Sequence, residues 1–202
     1  MGLIGAHAQG ATPLNADDVD GLIPDHITTQ KQLNEWEEEN ILKAKAWLRS
    51  SRAKQDPLDE AFIFELHRRM FDETWKWAGT TRTRETNIGV DPSEIRVKVR
   101  EALADVREQL KRKPGDIDQI AALLHHRLVK IHPFRNGNGR HGRLIVDLLL
   151  AANGRPEFTW GMAALKGNAS LASAGPVRDT YIRALRAADG HDYAPLFEFV
   201  RS

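Results

Sequence analysis

Cysteine is absent from the 202-residue sequence, which excludes disulfides and thiolate metal sites and suits a reducing compartment. An excess of one charge is missing too: 29 Lys and Arg stand against 28 Asp and Glu. That balance gives no global pull toward DNA, RNA or anionic lipid, so neither a nucleic-acid nor a membrane partner is expected and any anion site must be local. A membrane span needs roughly 18 apolar residues, and the run from Leu144 to Ala152 is too short. The first residues are small and polar, with no basic start followed by an apolar run, so no secretory signal is expected and a cytoplasmic location is. What is present suits a folded domain. The hydrophobic share of 41% is near the globular average, and the length supports one substantial core.

Helical periodicity dominates the chain. Residues 1–13 read as a loose tail and 14–202 as a single domain. Thr28 or Thr29 starts a charged helix over about 29–49 with Leu33, Trp36, Ile41, Ala44 and Leu48 as its apolar positions; Asp56-Pro57 breaks it. Leu58 to Phe71 begins a second helix, and Trp75 to Gly79 closes it. Thr80 to Val90 loses the helical period and reads as a β-hairpin or extended flap. Ser93 to about Arg112 is helical, and Asp116 caps a helix with Ile117, Ile120, Ala121, Leu124, Leu128 and Ile131 on one stripe. Arg140 to Ala152 is apolar almost all round past Arg143 and reads as the buried central helix; Asn153-Gly154 stops it. Two or three helices fill 162–200. The expectation is an all-α bundle around a central buried helix with one small β-hairpin flap.

The chemistry concentrates in His132-Pro-Phe-Arg-Asn-Gly-Asn-Gly-Arg140-His-Gly-Arg143. A helix N-terminus presents unpaired N–H groups and the positive end of its dipole. Gly137 and Gly139 can take positive φ and let a ligand approach, which makes an anion cradle. Arg140 and Arg143 share one face of the first helical turn. Two cations there oppose the dipole unless a polyphosphate compensates them. His132 can be a neutral base near pH 7. A metal site built from His125, His126, His132 and His141 is disfavoured, because adjacent helical residues diverge by about 100°.

This string resembles the signature of the Fic/Doc family. Leu66 to Phe71, Trp75 to Gly79, Arg82, Asn87 to Gly89, and Arg178 to Leu196 extend the likeness, and the whole resembles a subgroup known as mobile mystery protein B. The resemblance implies a protein adenylyltransferase that moves AMP from ATP to a tyrosine, serine or threonine hydroxyl of a target protein, releasing pyrophosphate. It implies His132 as the base and Phe134 as the buried loop anchor. Gly137, Asn138 and Gly139 would hold the α- and β-phosphates, the Asn138 amide contacting the α-phosphate. Arg140 would bind the β-phosphate and Arg143 the γ-phosphate. The family's acidic Mg²⁺ ligand is Asn136 here, so weaker metal binding, directly or through water, is expected. The segment Thr81, Arg82, Thr83, Arg84, Glu85, Thr86, Asn87 and Ile88 would dock an extended target segment by main-chain pairing. Asn168 and Tyr181 would line an adenine pocket, with a core role for Tyr181 as the alternative. Trp36, Trp47, Trp75 and Trp77 read as packing residues.

Many Fic proteins lock themselves with a helical glutamate that pairs with the second arginine. Glu39-Asn40 matches the ending of that pattern, so Glu39 is the expected inhibitory residue, with Glu37 and Glu38 as neighbours that could take its place. Other readings keep the fold: removal of AMP, transfer of another nucleotide or phosphate-containing group, or a nucleotide-binding module with weak catalysis. The target's identity and any homo-oligomerisation are left open.

Overall fold

The computed structural model describes residues 14–50, 55–112, 115–162, 171 and 175–202. A short helix α1 (Ala16–Val19) opens the described chain. It is followed by α2 (Gln30–Ser50), α3 (Glu60–Phe71), a 3-10 turn at Pro92–Glu94, α4 (Ile95–Lys111), α5 (Ile117–Ile131), α6 (Asn138–Ala152), α7 (Pro176–Asp189) and α8 (Ala194–Arg201). Local chemistry explains the starts. The Thr29 hydroxyl accepts from Gln32 N at 3.3 Å while Gln32 Oε1 accepts from Thr29 N at 3.0 Å, a reciprocal cap on α2. Asp116 caps α5 by accepting from Asp118 N at 3.0 Å.

The centre is shared. α5 packs against α4, α6 and α8, while α6 packs against α5 and α3. Helix α6 buries Ile145, Val146, Leu149 and Leu150, but Leu144 and Leu148 are only partly covered. It is therefore one of two central helices rather than a core enclosed on all sides. Against it, α3 places Ile63, Leu66, Met70 and Phe71, all nearly inaccessible. This hydrophobic layer fixes the start of α6, and with it the loop that precedes it.

Helix α2 covers α3 with a face that is half polar: Leu33, Glu37, Asn40 and Ala44 are its buried residues, at strict helical spacing. The Asn40 side chain accepts from Glu73 N at 3.0 Å and from Thr74 Oγ1 at 3.2 Å. These bonds tie α2 to the segment after α3.

The expected β-hairpin is not formed. Among the described residues the β-pairing is an isolated antiparallel bridge between Leu22 and Trp75, and 81–90 is irregular. The reason is Arg82, which is 1% exposed. Its guanidinium donates to Arg84 O at 2.8 Å and also to Val90 O. A buried cation thus takes the carbonyls that cross-strand amides would take in a hairpin.

Candidate active site

The chain turns out of α5 at His132, whose φ of 54° and ψ of 61° are left-handed. Arg82 holds that turn. Its Nε donates to His132 O at 2.7 Å, and its backbone N donates to Pro133 O at 2.9 Å. Gly89 is required beside it: φ is +128°, and a Cβ would lie 2.4 Å from Arg82 Nη2. The His132 ring lies 3.2 Å through Nδ1 from Val129 O. A carbonyl only accepts, so Nδ1 carries the proton and Nε2 keeps its lone pair. Burial, opposed by that hydrogen bond and reinforced by the Arg82 charge, lowers the His132 pKa to about 4. The ring is thus neutral at pH 7, in the form a base needs.

Phe134 pins the loop and is fully buried. It stacks on His67 at 3.6 Å between ring centroids and meets His141 edge-on at 5.1 Å. His67 in turn donates through Nε2 to Asn136 O at 3.1 Å and accepts from Gly79 N at 3.0 Å. The Asn138 side chain closes the loop by accepting from Phe134 N at 2.9 Å and donating to Phe134 O at 2.8 Å. Its side-chain amide is therefore engaged within the protein, and what Asn138 can offer an anion is its backbone N–H. The Asn136 side-chain oxygen accepts from Gly137 N at 2.6 Å.

Helix α6 has Gly137 as its N-cap with no side-chain cap, so its first turn keeps the backbone amides that an anion cradle would need. The two glycines differ. Gly137 has φ of 79°, and a Cβ there would lie 2.6 Å from the Phe71 ring. Gly139 is not in the left-handed region, and a Cβ would make only ordinary contacts at 3.6 Å. Backbone strain thus demands glycine at 137 and not at 139.

Arg140 is the third residue of α6 and Arg143 the sixth, so they stand on successive turns, and each is already met by protein. Arg140 Nη1 lies 2.7 Å from Glu37 Oε2, and its guanidinium sits 5.0 Å over the Phe71 ring. The other oxygen of Glu37 accepts from Trp75 Nε1 at 2.8 Å. Glu37 is 2% exposed, whereas Glu39 is exposed near His26 and Trp36. The acidic helix residue at the site is therefore Glu37, and its partner is the first arginine. Arg143 instead lies 5.8 Å over the Tyr181 ring. The Tyr181 hydroxyl is 2.7 Å from His125 Nε2, and His125 packs against Trp160, whose Nε1 donates to Asp147 at 3.3 Å. Tyr181 is buried, so it is a support beneath Arg143. Asn168 lies outside the described residues.

The sequence offers Glu37 only as an alternative to Glu39 and gives no sign of the Trp75 indole that holds it. The usable signal was the spacing of 33, 37, 40 and 44 on one helical face, which puts Glu37 with the buried residues and Glu39 away from them. Among the described residues, no cluster of three or more His, Cys, Asp or Glu side chains could hold a metal ion, and no helix is long and apolar enough to cross a membrane.

Four histidines are buried neutral around this loop, and their sign fixes an acid response. Burial lowers His125 to about 3 and His141 to about 4, beside His132 at about 4, and it also pushes His67 well down. An unfolded histidine titrates at about 6.5 and takes up protons that the folded one refuses. Stability is therefore full above that value and is lost as pH falls toward the folded values. Urea unfolding should show the loss already between pH 6.5 and 5, before most carboxylates titrate; constant stability across that window would contradict the assignment.

Residues 57–150 match the family described as Fic/DOC family. The chain is 36% identical over 98 residues to a protein adenylyltransferase fic-1 of Caenorhabditis elegans, covering 46% of this chain and 19% of that protein. It is 32% identical over 77 residues to a protein adenylyltransferase and cysteine protease of Histophilus somni, covering 38% of this chain and 2% of that protein. The chain thus spans at most about a fifth of these two relatives' length. Its fold matches the BepC protein of Bartonella tribocorum with bound AMPPNP, with TM-score 0.67 and 18% identity over 96% of this chain and 93% of that one. It also matches residues 134–508 of C. elegans Fic-1, with TM-score 0.63 and 25% identity over 89% and 50% of the two chains.

Proposed function

We propose, from the premise that the chain belongs to the Fic/DOC family through residues 57–150, that it transfers AMP from ATP to a hydroxyl side chain of a protein. The observation that carries this reading is His132, neutral and with its proton on Nδ1, at the mouth of an uncapped helix start that bears two arginines. His132 Nε2 takes the proton of the target hydroxyl. The oxygen attacks the α-phosphorus, the bond from that phosphorus to the bridging β-oxygen breaks, and pyrophosphate leaves. The amides of Gly137, Asn138 and Gly139 hold the α- and β-phosphates, Arg140 the β-phosphate and Arg143 the γ-phosphate. Such a reaction depends chiefly on positioning and charge stabilisation.

The donor set suits Mg²⁺ modestly. One amide oxygen, Asn136 Oδ1, together with ATP phosphates and water, is a normal complement for this ion, with less affinity than a carboxylate gives. Mg²⁺ when bound would neutralise charge on the phosphates. Asn136 would hold it only by giving up its bond to Gly137 N.

In this reading the chain is described in a restrained state. Glu37 occupies the guanidinium that the β-phosphate needs, and a carboxylate substitutes well for a phosphate oxygen in such a pair. ATP could still bind through Arg143 and the amides, but misplaced, so rate suffers more than affinity.

Two variants test the reading, with adenylylated side chains counted by mass spectrometry. His132→Ala should lose about 10²- to 10⁴-fold in transfer rate while keeping ATP affinity; retention of half the rate would remove the base assignment. Glu37→Gly should raise transfer, self-modification included, by roughly tenfold or more, equivalent to about 1.4 kcal/mol of relieved blockade. Glu39→Gly serves as the exposed control on the same helix. If Glu37→Gly and Glu39→Gly behave alike, the Glu37–Arg140 pair is a packing contact and not a lock.

A further inference from the structure

Residues 14–27 precede the matched segment and lie along 74–77. Ile23 N donates to Thr74 O at 2.9 Å, and Lys76 N donates to Gly21 O at 2.8 Å. Asp18 stands at this junction with 0% exposure. Its backbone oxygen accepts from Trp77 Nε1 at 3.2 Å. Its Oδ2 accepts from Asn15 N at 3.1 Å and from the Arg84 guanidinium. Its Oδ1 is buried without a hydrogen-bond donor, and Arg135 Nη1 lies 3.9 Å from it.

Helix capping accounts for only part of this. Asn15 and Asp18 form a capping box on α1, but an uncharged amide oxygen would serve that box equally. A buried carboxylate with one oxygen lacking a donor is a net cost to the fold. What its charge does is neutralise two cations from separate parts of the candidate site. Arg84 belongs to the irregular 81–88 segment, and Arg135 lies in the loop between Phe134 and Asn136. The backbone of 81–90 is otherwise tied to the loop near its ends, by Arg82 N to Pro133 O at 2.9 Å and Val90 N to Ile131 O at 3.3 Å.

We propose that Asp18 is a positioning residue for target docking: its charge holds Arg84 and Arg135 together and sets the 81–88 segment in register with the loop that carries His132. An extended target segment laid along 81–88 would then meet backbone groups already placed relative to the base. The geometry stands by itself; its consequence for target recognition rests on the transferase reading above.

Asp18→Asn in the full chain keeps the capping oxygen and the volume and removes the charge. Arg84→Gln attacks the same contact from its partly exposed side and serves if the first variant folds poorly. Hydrogen exchange of 81–90 should quicken by roughly tenfold in each variant, and no further in the double variant, while α5 and α6 stay protected. The KM for a protein target should rise about tenfold, with kcat and ATP affinity changed by less than about twofold. Unchanged exchange in 81–90 overturns the proposal whatever the activity, and so does an equal loss of protection in α5 and α6, which would make the charge a general stabiliser. A raised kcat or a loss of ATP affinity in place of the KM effect also overturns it. Local quickening in a protein that labels no target even without Glu37 would remove the transferase reading and leave the clasp.

Discussion

The buried guanidinium of Arg82 is the contact on which the arrangement of the site depends. It reaches carbonyls on both sides of the active loop: His132 O on one, Arg84 O and Val90 O on the other. An arginine can do this because its planar fork offers five donors in fixed directions; a lysine would serve one or two of those carbonyls. Burial lowers the Arg82 pKa from its usual high value, but a guanidinium stays charged in proteins. One cation therefore shapes the turn at the base and replaces the hairpin pairing of the flap. The left-handed turn at His132 and the glycine at 89 both follow from it.

A second constraint is the polar side chain on the inner face of α2. Glu37 would be expensive to bury alone, but it receives a guanidinium and an indole N–H at good distances. Removing either partner leaves a buried charge, so the pair resists small perturbation. Arg143 is arranged differently. It is backed by the Tyr181 ring and a relay to His125, and the carboxylate of Asp147, one turn on in α6, acts on its charge.

Much of this was legible in the residues, because the helices announce themselves by period and caps. Asp116 and Thr29 start α5 and α2 in the expected places, and α6 starts at the glycines of the 132–143 string. The failures are tertiary. The hairpin expectation rested on threonine-rich composition and could not see that Arg82 would turn inward and take the carbonyls. Glu39 was favoured because Glu-Asn matches a familiar ending, yet the spacing of Leu33, Asn40 and Ala44 already put Glu37 on the buried face. Trp75 does pack in the core, and only the fold adds its indole N–H on Glu37. Of the two roles open to Tyr181, an adenine contact or a core aromatic, the structure shows the core one, beneath Arg143. Asp18 has a local partner in Asn15, but the cations it meets lie 66 and 117 residues away in sequence.

The proposed activity moves an adenylyl group and not a phosphoryl group. Incubating the Glu37→Gly chain with cell lysate and ATP labelled in parallel at the α- or γ-phosphate tests it directly. Label on protein from the α-position alone, dependent on His132, is the result the account predicts. Label from the γ-position, or from neither, would contradict it.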